Sequence, residues 1–184
     1  RKEDNMMLAR RADRGNWADG IEIKDLTQET AEVVFHAGCR FSFDEDLWKV
    51  PRTALKLLRR AGVDVGIFGK EETCCGGRAE ELGYAGEFTK YGENNLEAWK
   101  NAGVKAVVTC CSDCYYTFKR RYAELGLEIP VYHIVEYLKM LIDDGKLKLE
   151  KPVNLTVTYH DPCHLGRRLA QAPGHYVPGA PIMG

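Results

Sequence analysis

The sequence has no long apolar run. No window of its 184 residues approaches the roughly 18 uninterrupted apolar residues that a membrane-crossing helix needs. It has no excess of either charge: 26 Lys and Arg face 27 Asp and Glu, a formal net charge of −1. That balance gives no reason to expect nucleic acid or an anionic membrane as the main partner. The opening residues, RKEDNMMLARRADRGNW, hold no apolar stretch of the kind that marks a secretory leader, and no initiator methionine. The sequence therefore reads as a piece of a longer chain. Cysteine, by contrast, is plentiful, at seven. A disulfide framework fits poorly, because the number is odd, no export signal is present and the chain is long enough to bury a core. Cys74 and Cys75 are adjacent, as are Cys110 and Cys111. Neighbouring Cα atoms lie about 3.8 Å apart, below the usual ~4.4–6.8 Å of a disulfide, so bridging within either pair is strained. Metal binding or reversible redox chemistry becomes the leading class.

Hydrophobic patterning places these cysteines on an α/β frame. Residues 1–30 are polar and read as a lead-in or linker. AEVVFHAG (31–38), VDVGIF (63–68), KAVVTC (105–110), PVYHI (130–134) and VNLTVTYH (153–160) are strand-like runs. Between them, Leu47, Val50, Ala54, Leu57, Leu58 and Ala61 repeat at helical spacing, with SFDE (42–45) as a capping box, Pro51 early enough to be tolerated and Gly62 as the stop. A second helix is predicted within 79–102, with Gly83, Gly86 and Gly92 weakening its first half and Gly103 closing it. A third, capped by Ser112, carries the stripe Tyr115, Phe118, Tyr122 and Leu125 and reads as core. A fourth shows Ile134, Leu138, Leu141 and Ile142 on one face. Strands alternating with helices imply a parallel, doubly wound (Rossmann-like) sheet of about five strands with helices on both faces. The domain is expected over 31–160.

In such sheets ligands collect beyond the carboxyl ends of the strands. Each cysteine group follows a strand: Cys39 the first, Cys74 and Cys75 the second, Cys110 to Cys114 the third. Cys111 and Cys114 form a C-x-x-C at a helix start, where N–H groups and the helix dipole favour thiolate. Taken alone, that motif suits a dithiol or half a zinc site. The Cys74–Cys75 pair argues for more, since adjacent thiolates do not easily share one tetrahedral ion, whereas several irons offer separate targets. Gly76 and Gly77 let the backbone come close to a bulky inorganic core. A lone zinc and an ordinary cubane each take four ligands, fewer than the five candidates at this edge.

Cys39-x34-Cys74-Cys75-x35-Cys111-x2-Cys114, with ETCCGG and HDPCHLGR, resembles the cysteine-rich CCG motif of heterodisulfide reductase B and D subunits. Related iron–sulfur subunits serve glycolate and lactate oxidation and anaerobic glycerol-3-phosphate dehydrogenase. The resemblance covers about residues 32–168. It implies a noncubane 4Fe-4S cluster held by Cys39, Cys74, Cys75, Cys111 and Cys114, with zinc as a possible substitute. It implies electron transfer to a disulfide or a quinone-linked partner, and other redox subunits or a ferredoxin-type domain of the same full-length chain as neighbours. The expected setting is the cytoplasm, or the periphery of a membrane redox complex.

VVFHAGC (33–39) and VTYHDPC (157–163) share one plan: β-run, aromatic, His, two residues, Cys. Cys163 thus matches the first cysteine of a second motif, and 161–184 reads as the start of a truncated second unit with a flexible tail. A chain with one complete site is not expected to carry out full two-electron disulfide reduction. His36 and His160, and more weakly His164, are candidates to hydrogen-bond cluster sulfide; Cys110 and His133 read as packing. Arg78, Arg167 and Arg168 read as anion-attracting or solvated residues.

Overall fold

The computed structural model describes residues 3–169. Its sheet consists of β1 (Lys24–Asp25), β2 (Val33–His36), β3 (Val65–Ile67), β4 (Ala106–Thr109) and β5 (Val131–His133), all parallel, in the order β1-β3-β2-β4-β5. The expected α/β doubly wound class is what forms. The helices are α1 (Gly38–Phe43), α2 (Lys49–Arg60), α3 (Gly77–Glu81), α4 (Ala85–Asn101), α5 (Ser112–Tyr116) and α6 (Ile134–Asp143).

Alternation along the central strands sorts the core into two layers. Val33 and Phe35 of β2 face one side with Ala106 and Val108 of β4, against Leu55 and Leu58 of α2 and Leu141 of α6. Val34 and Val107 face the other side, against Trp99 of α4 and the aromatic stripe Tyr115, Phe118 and Tyr122. Burial on both faces explains why these strands read as unbroken apolar runs. The chain goes from β2 outward to β3, then crosses back past β2 to β4. That reversal puts a switch point beyond the carboxyl ends of β2 and β4, where an open sheet offers a crevice.

Five expectations need correction. Residues 153–160 form no strand: they are irregular and exposed, and no ladder partner is found among the described residues. The fifth strand is β1, from the segment read as a lead-in. That segment also buries Trp17, and Arg52 ties it down by donating to the Trp17 carbonyl at 2.6 Å and the Asp19 carbonyl at 3.1 Å. The Ser42 box is not used, since the chain turns at Asp44, whose carboxylate accepts from the Asp46 N–H at 3.2 Å. Ser112 is already helical and Cys111 is the capping residue. The 79–102 helix is two, because Gly83 takes a left-handed φ of +83° between α3 and α4. After α5 the run continues as a π turn and a 3-10 turn to Gly126, so the aromatic stripe stays on one face. The tail expected over 170–184 lies outside the described residues. Among the described residues, no helix is long and apolar enough to cross a membrane.

Candidate functional site

Three strand ends deliver five thiols to one place. Cys39 leaves β2 in the first turn of α1, Cys74 and Cys75 follow β3, and Cys111 and Cys114 follow β4 as cap and first turn of α5. The sulfurs form a row of neighbours, with Cys114 and Cys111 both beside Gly38. Cys39 Sγ lies 3.4 Å from Cys74 Sγ, and neighbouring thiols influence one another electrostatically from Cys74 to Cys75, Cys75 to Cys114 and Cys114 to Cys111. All are free thiols, and all but Cys111 are buried. Gly38 makes the junction possible, since a Cβ there would sit 2.7 Å from the Cys114 sulfur.

Side chains from the helix layer behind the Cys74–Cys75 corner hold its backbone. Asn95 of α4 donates to the Cys74 carbonyl at 3.0 Å, and the Tyr122 hydroxyl donates to the Cys75 carbonyl at 3.0 Å. Asn95 also donates to the Tyr122 oxygen at 2.9 Å, locking the two supports together. Gly76, at a left-handed φ of +80°, donates its N–H to Cys74 Sγ at 3.4 Å. Gly77 faces Thr117 instead, so its missing Cβ serves helix packing.

Beneath Cys39 lies a buried ion pair. Arg14 donates to Glu72 Oε1 at 3.2 Å and to Cys39 Sγ at 3.4 Å, and its guanidinium lies over the Phe43 ring. Glu72 also accepts from the backbone N–H groups of Ala37 at 2.8 Å and Gly38 at 3.0 Å, which fixes the turn that presents Cys39. Burial alone would lower the Arg14 pKa; the Cys39 sulfur and the Glu72 carboxylate outweigh it and hold it raised.

Hydrogen bonding sorts the thiols. Cys75 receives from Cys114 and then from Cys74, and is brought down to about 6 despite burial. Cys111, which also receives from Cys114, is lowered too. Cys114, flanked by Cys111 and Cys75 and buried, is pushed well up. The bond from Cys39 works to lower Cys74, but its own bond to Cys75 and burial prevail and raise it to about 12. Cys39 is pushed well up by its bond to Cys74 and by burial. Binding metal here must therefore release protons from several sulfurs.

The other sequence candidates lie elsewhere. Cys110 packs in the opposite core layer, with its thiol raised by burial. Cys163 is exposed and stands apart from the row, 3.4 Å from His164 Nδ1. His164 is buried between Glu81 and Asp113, at 2.7 Å from each, and so docks residues 161–169 on the rim of the site. Arg78 is committed to Glu81 and Asp113, and Arg168 to Glu81. His36 stands edge-on to Phe118 at 4.8 Å, with no hydrogen-bond partner for Nε2 among the described residues. His133 caps α6, and His160 is exposed. Tyr91, packed on Cys39 and Cys74, is one wall of a cleft of about 290 Å³ shared with Asp4, Gly86, Glu87 and Lys90.

Gly38, Arg14, Glu72, Asn95 and Tyr122 were missed. Asn95 was detectable as a polar residue on the inward face of an amphipathic helix, and Glu72 by standing two residues before Cys74. Arg14 left no local signal. An all-sulfur donor set suits iron–sulfur chemistry. Among the described residues, no three His, Cys, Asp or Glu side chains are grouped around one metal-ion position, so the zinc option gains no support.

Residues 33–119 match the family model of the CCG cysteine-rich domain. The chain is 36% identical to an EtfAB:quinone oxidoreductase of Syntrophomonas wolfei, over 85% of this chain and 23% of that one. It is 34% identical to the D-type component of the dihydromethanophenazine:CoB–CoM heterodisulfide reductase of Methanosarcina mazei, over 95% of this chain and 44% of that one. It is 33% identical to the probable iron-sulfur-binding oxidoreductase FadF of Bacillus subtilis, over 90% of this chain and 25% of that one. The chain thus spans less than half the length of each of these relatives. No solved structure matches it.

Proposed function

We propose, from the match of residues 33–119 to the CCG cysteine-rich domain and from the iron–sulfur oxidoreductases among the chain's relatives, that Cys39, Cys74, Cys75, Cys111 and Cys114 hold a noncubane 4Fe-4S cluster. The observation that carries this reading is the delivery of five cysteines from the ends of three adjacent strands to the switch point of the sheet. When bound, such a cluster takes up and releases electrons one at a time. The chain's own residues exclude water from four of the five sulfurs, set the Cys74–Cys75 corner through Asn95 and Tyr122, and supply an N–H to sulfur from Gly76.

The names of the relatives point to two kinds of electron partner, a disulfide and a quinone-linked protein. We assign this domain to the electron path between other redox subunits, or a ferredoxin-type domain of the same full-length chain, and such a partner. The setting is cytoplasmic, at the periphery of a membrane redox complex. The test is anaerobic purification, followed by iron and acid-labile sulfide assay and electron paramagnetic resonance before and after addition of a thiol. The expected protein is brown, bleaches in air, holds iron and sulfide in equal amounts and changes its spectrum with thiol. A colourless protein holding zinc and no sulfide overturns the reading.

A further inference from the structure

The row of thiols is supported unequally. At its Cys39 end alone, among the described residues, a charged side chain donates directly to a sulfur. Arg14 comes from outside the stretch that matches the family model, through a segment pinned by buried Trp17 and by Arg52. Its side chain is 1% exposed. Burying a guanidinium is costly unless each charge is met. Glu72 meets it, but Glu72 is also taken up by the Ala37 and Gly38 N–H groups. The remaining partner of the Arg14 fork is Cys39 Sγ.

We propose that Arg14, braced by Glu72, is a positioning residue that sets the reduction potential of the bound cluster through a hydrogen bond to the Cys39 sulfur. This rests on the cluster reading above. Hydrogen bonds to ligand sulfur, and net charge nearby, are main determinants of iron–sulfur potentials. A donor cation favours the more electron-rich state, so Arg14 raises the potential. The Glu72 carboxylate opposes it while holding the guanidinium in place. The two residues therefore pull in opposite directions, which a purely structural pair would not do.

The experiment is a redox titration of the whole anaerobically loaded chain, followed by electron paramagnetic resonance. Arg14→Met is expected to shift the midpoint potential downward and Glu72→Gln to shift it upward. Arg14→Lys, which keeps the charge but loses the planar fork, falls between Arg14→Met and the unaltered chain. If Arg14→Met does not fold, Arg14→Lys and Glu72→Gln carry the same test of sign. Shifts of both residues in one direction, or potentials indifferent to every folded variant, overturn the proposal alone. An unaltered chain that takes up no iron and sulfide overturns the cluster reading, and this proposal with it.

Discussion

Residues 33–39 and 157–163 share one plan in sequence and are opposites in structure. In VVFHAGC, the strand lies at the centre of the sheet. Val33 and Val34 pair with β3, all four strand residues pair with β4, Phe35 is wholly buried, and Cys39 enters the thiol row. In VTYHDPC, Val157 is 79% exposed, Tyr159 is exposed, no strand forms, and Cys163 faces solvent. Intrinsic preference is much the same in the two, since both are rich in β-branched and aromatic residues. What differs is neighbours. A strand's N–H and C=O groups need a ladder on at least one side and its apolar face needs a layer to cover it. The sequence around β2 supplies β3 and β4 in register. Residues 144–156, by contrast, lead from α6 without bringing the second run alongside β5.

The largest expected contrast lies in the cysteines that end the two runs. Cys39→Ser should abolish most iron and sulfide uptake, because it removes one end of the row; Cys163→Ser should leave uptake as in the unaltered chain. Iron and sulfide assays on anaerobically loaded protein decide this. Equal loss from both variants would make Cys163 a ligand and erase the distinction. Survival of thiol–disulfide exchange in Cys39→Ser would instead favour chemistry by Cys111 and Cys114 alone.

The aromatic residues should differ next. Phe35→Ala removes a wholly buried ring between α2 and the sheet, a change that costs about 3–5 kcal/mol. Tyr159→Ala touches an exposed ring and should stay within about 0.5 kcal/mol. Urea unfolding of the metal-free chain measures both. A Tyr159→Ala loss as large as that at Phe35 would mean that the second run is packed in solution.

Much of this architecture is legible in the amino-acid order alone. β2 to β5 are readable because they are buried on both faces and so stand out as short apolar runs between helical periods. The five site cysteines are readable because each follows a strand, and parallel strands end at one edge. Three things escape. β1 has two residues and a polar sequence, and pairing with Gly66 and Ile67 of β3, not composition, makes it a strand. The run 153–160 has the right alternation, but alternation cannot show whether a partner strand is within reach. Arg14 and Glu72 are 58 residues apart, and a buried ion pair at that separation has no local pattern. The helix-capping errors share one cause, for Ser42 and Ser112 lie inside helices that begin earlier than their side chains suggest, at Gly38 and just after Cys111.

The two histidines give the smallest contrast and the one most open to a pH titration. Burial holds His36 down to about 4 against an ordinary 6.5; attraction by Glu72 works the other way and repulsion by Arg14 adds to the lowering. The unfolded chain takes up a proton at this residue as pH falls through 6.5, and the folded chain does not until about 4. Between those values the unfolded state binds more protons, so stability falls as pH falls and recovers as pH rises. The whole window is worth roughly 3 kcal/mol at about 1.4 kcal/mol per pH unit. In His36→Gln that part of the slope should vanish, so its stability relative to the unaltered chain improves steadily from pH 6.5 to pH 4. His160, by contrast, is exposed and has no such burial. Acidification acts on many carboxylates as well, so the difference between variants, followed by urea unfolding at several pH values, is the informative quantity. An unchanged slope in His36→Gln would mean that the imidazole is hydrated or already charged in the fold, and that the central strand is less sealed than its buried neighbours Phe35, Trp99 and Phe118 require.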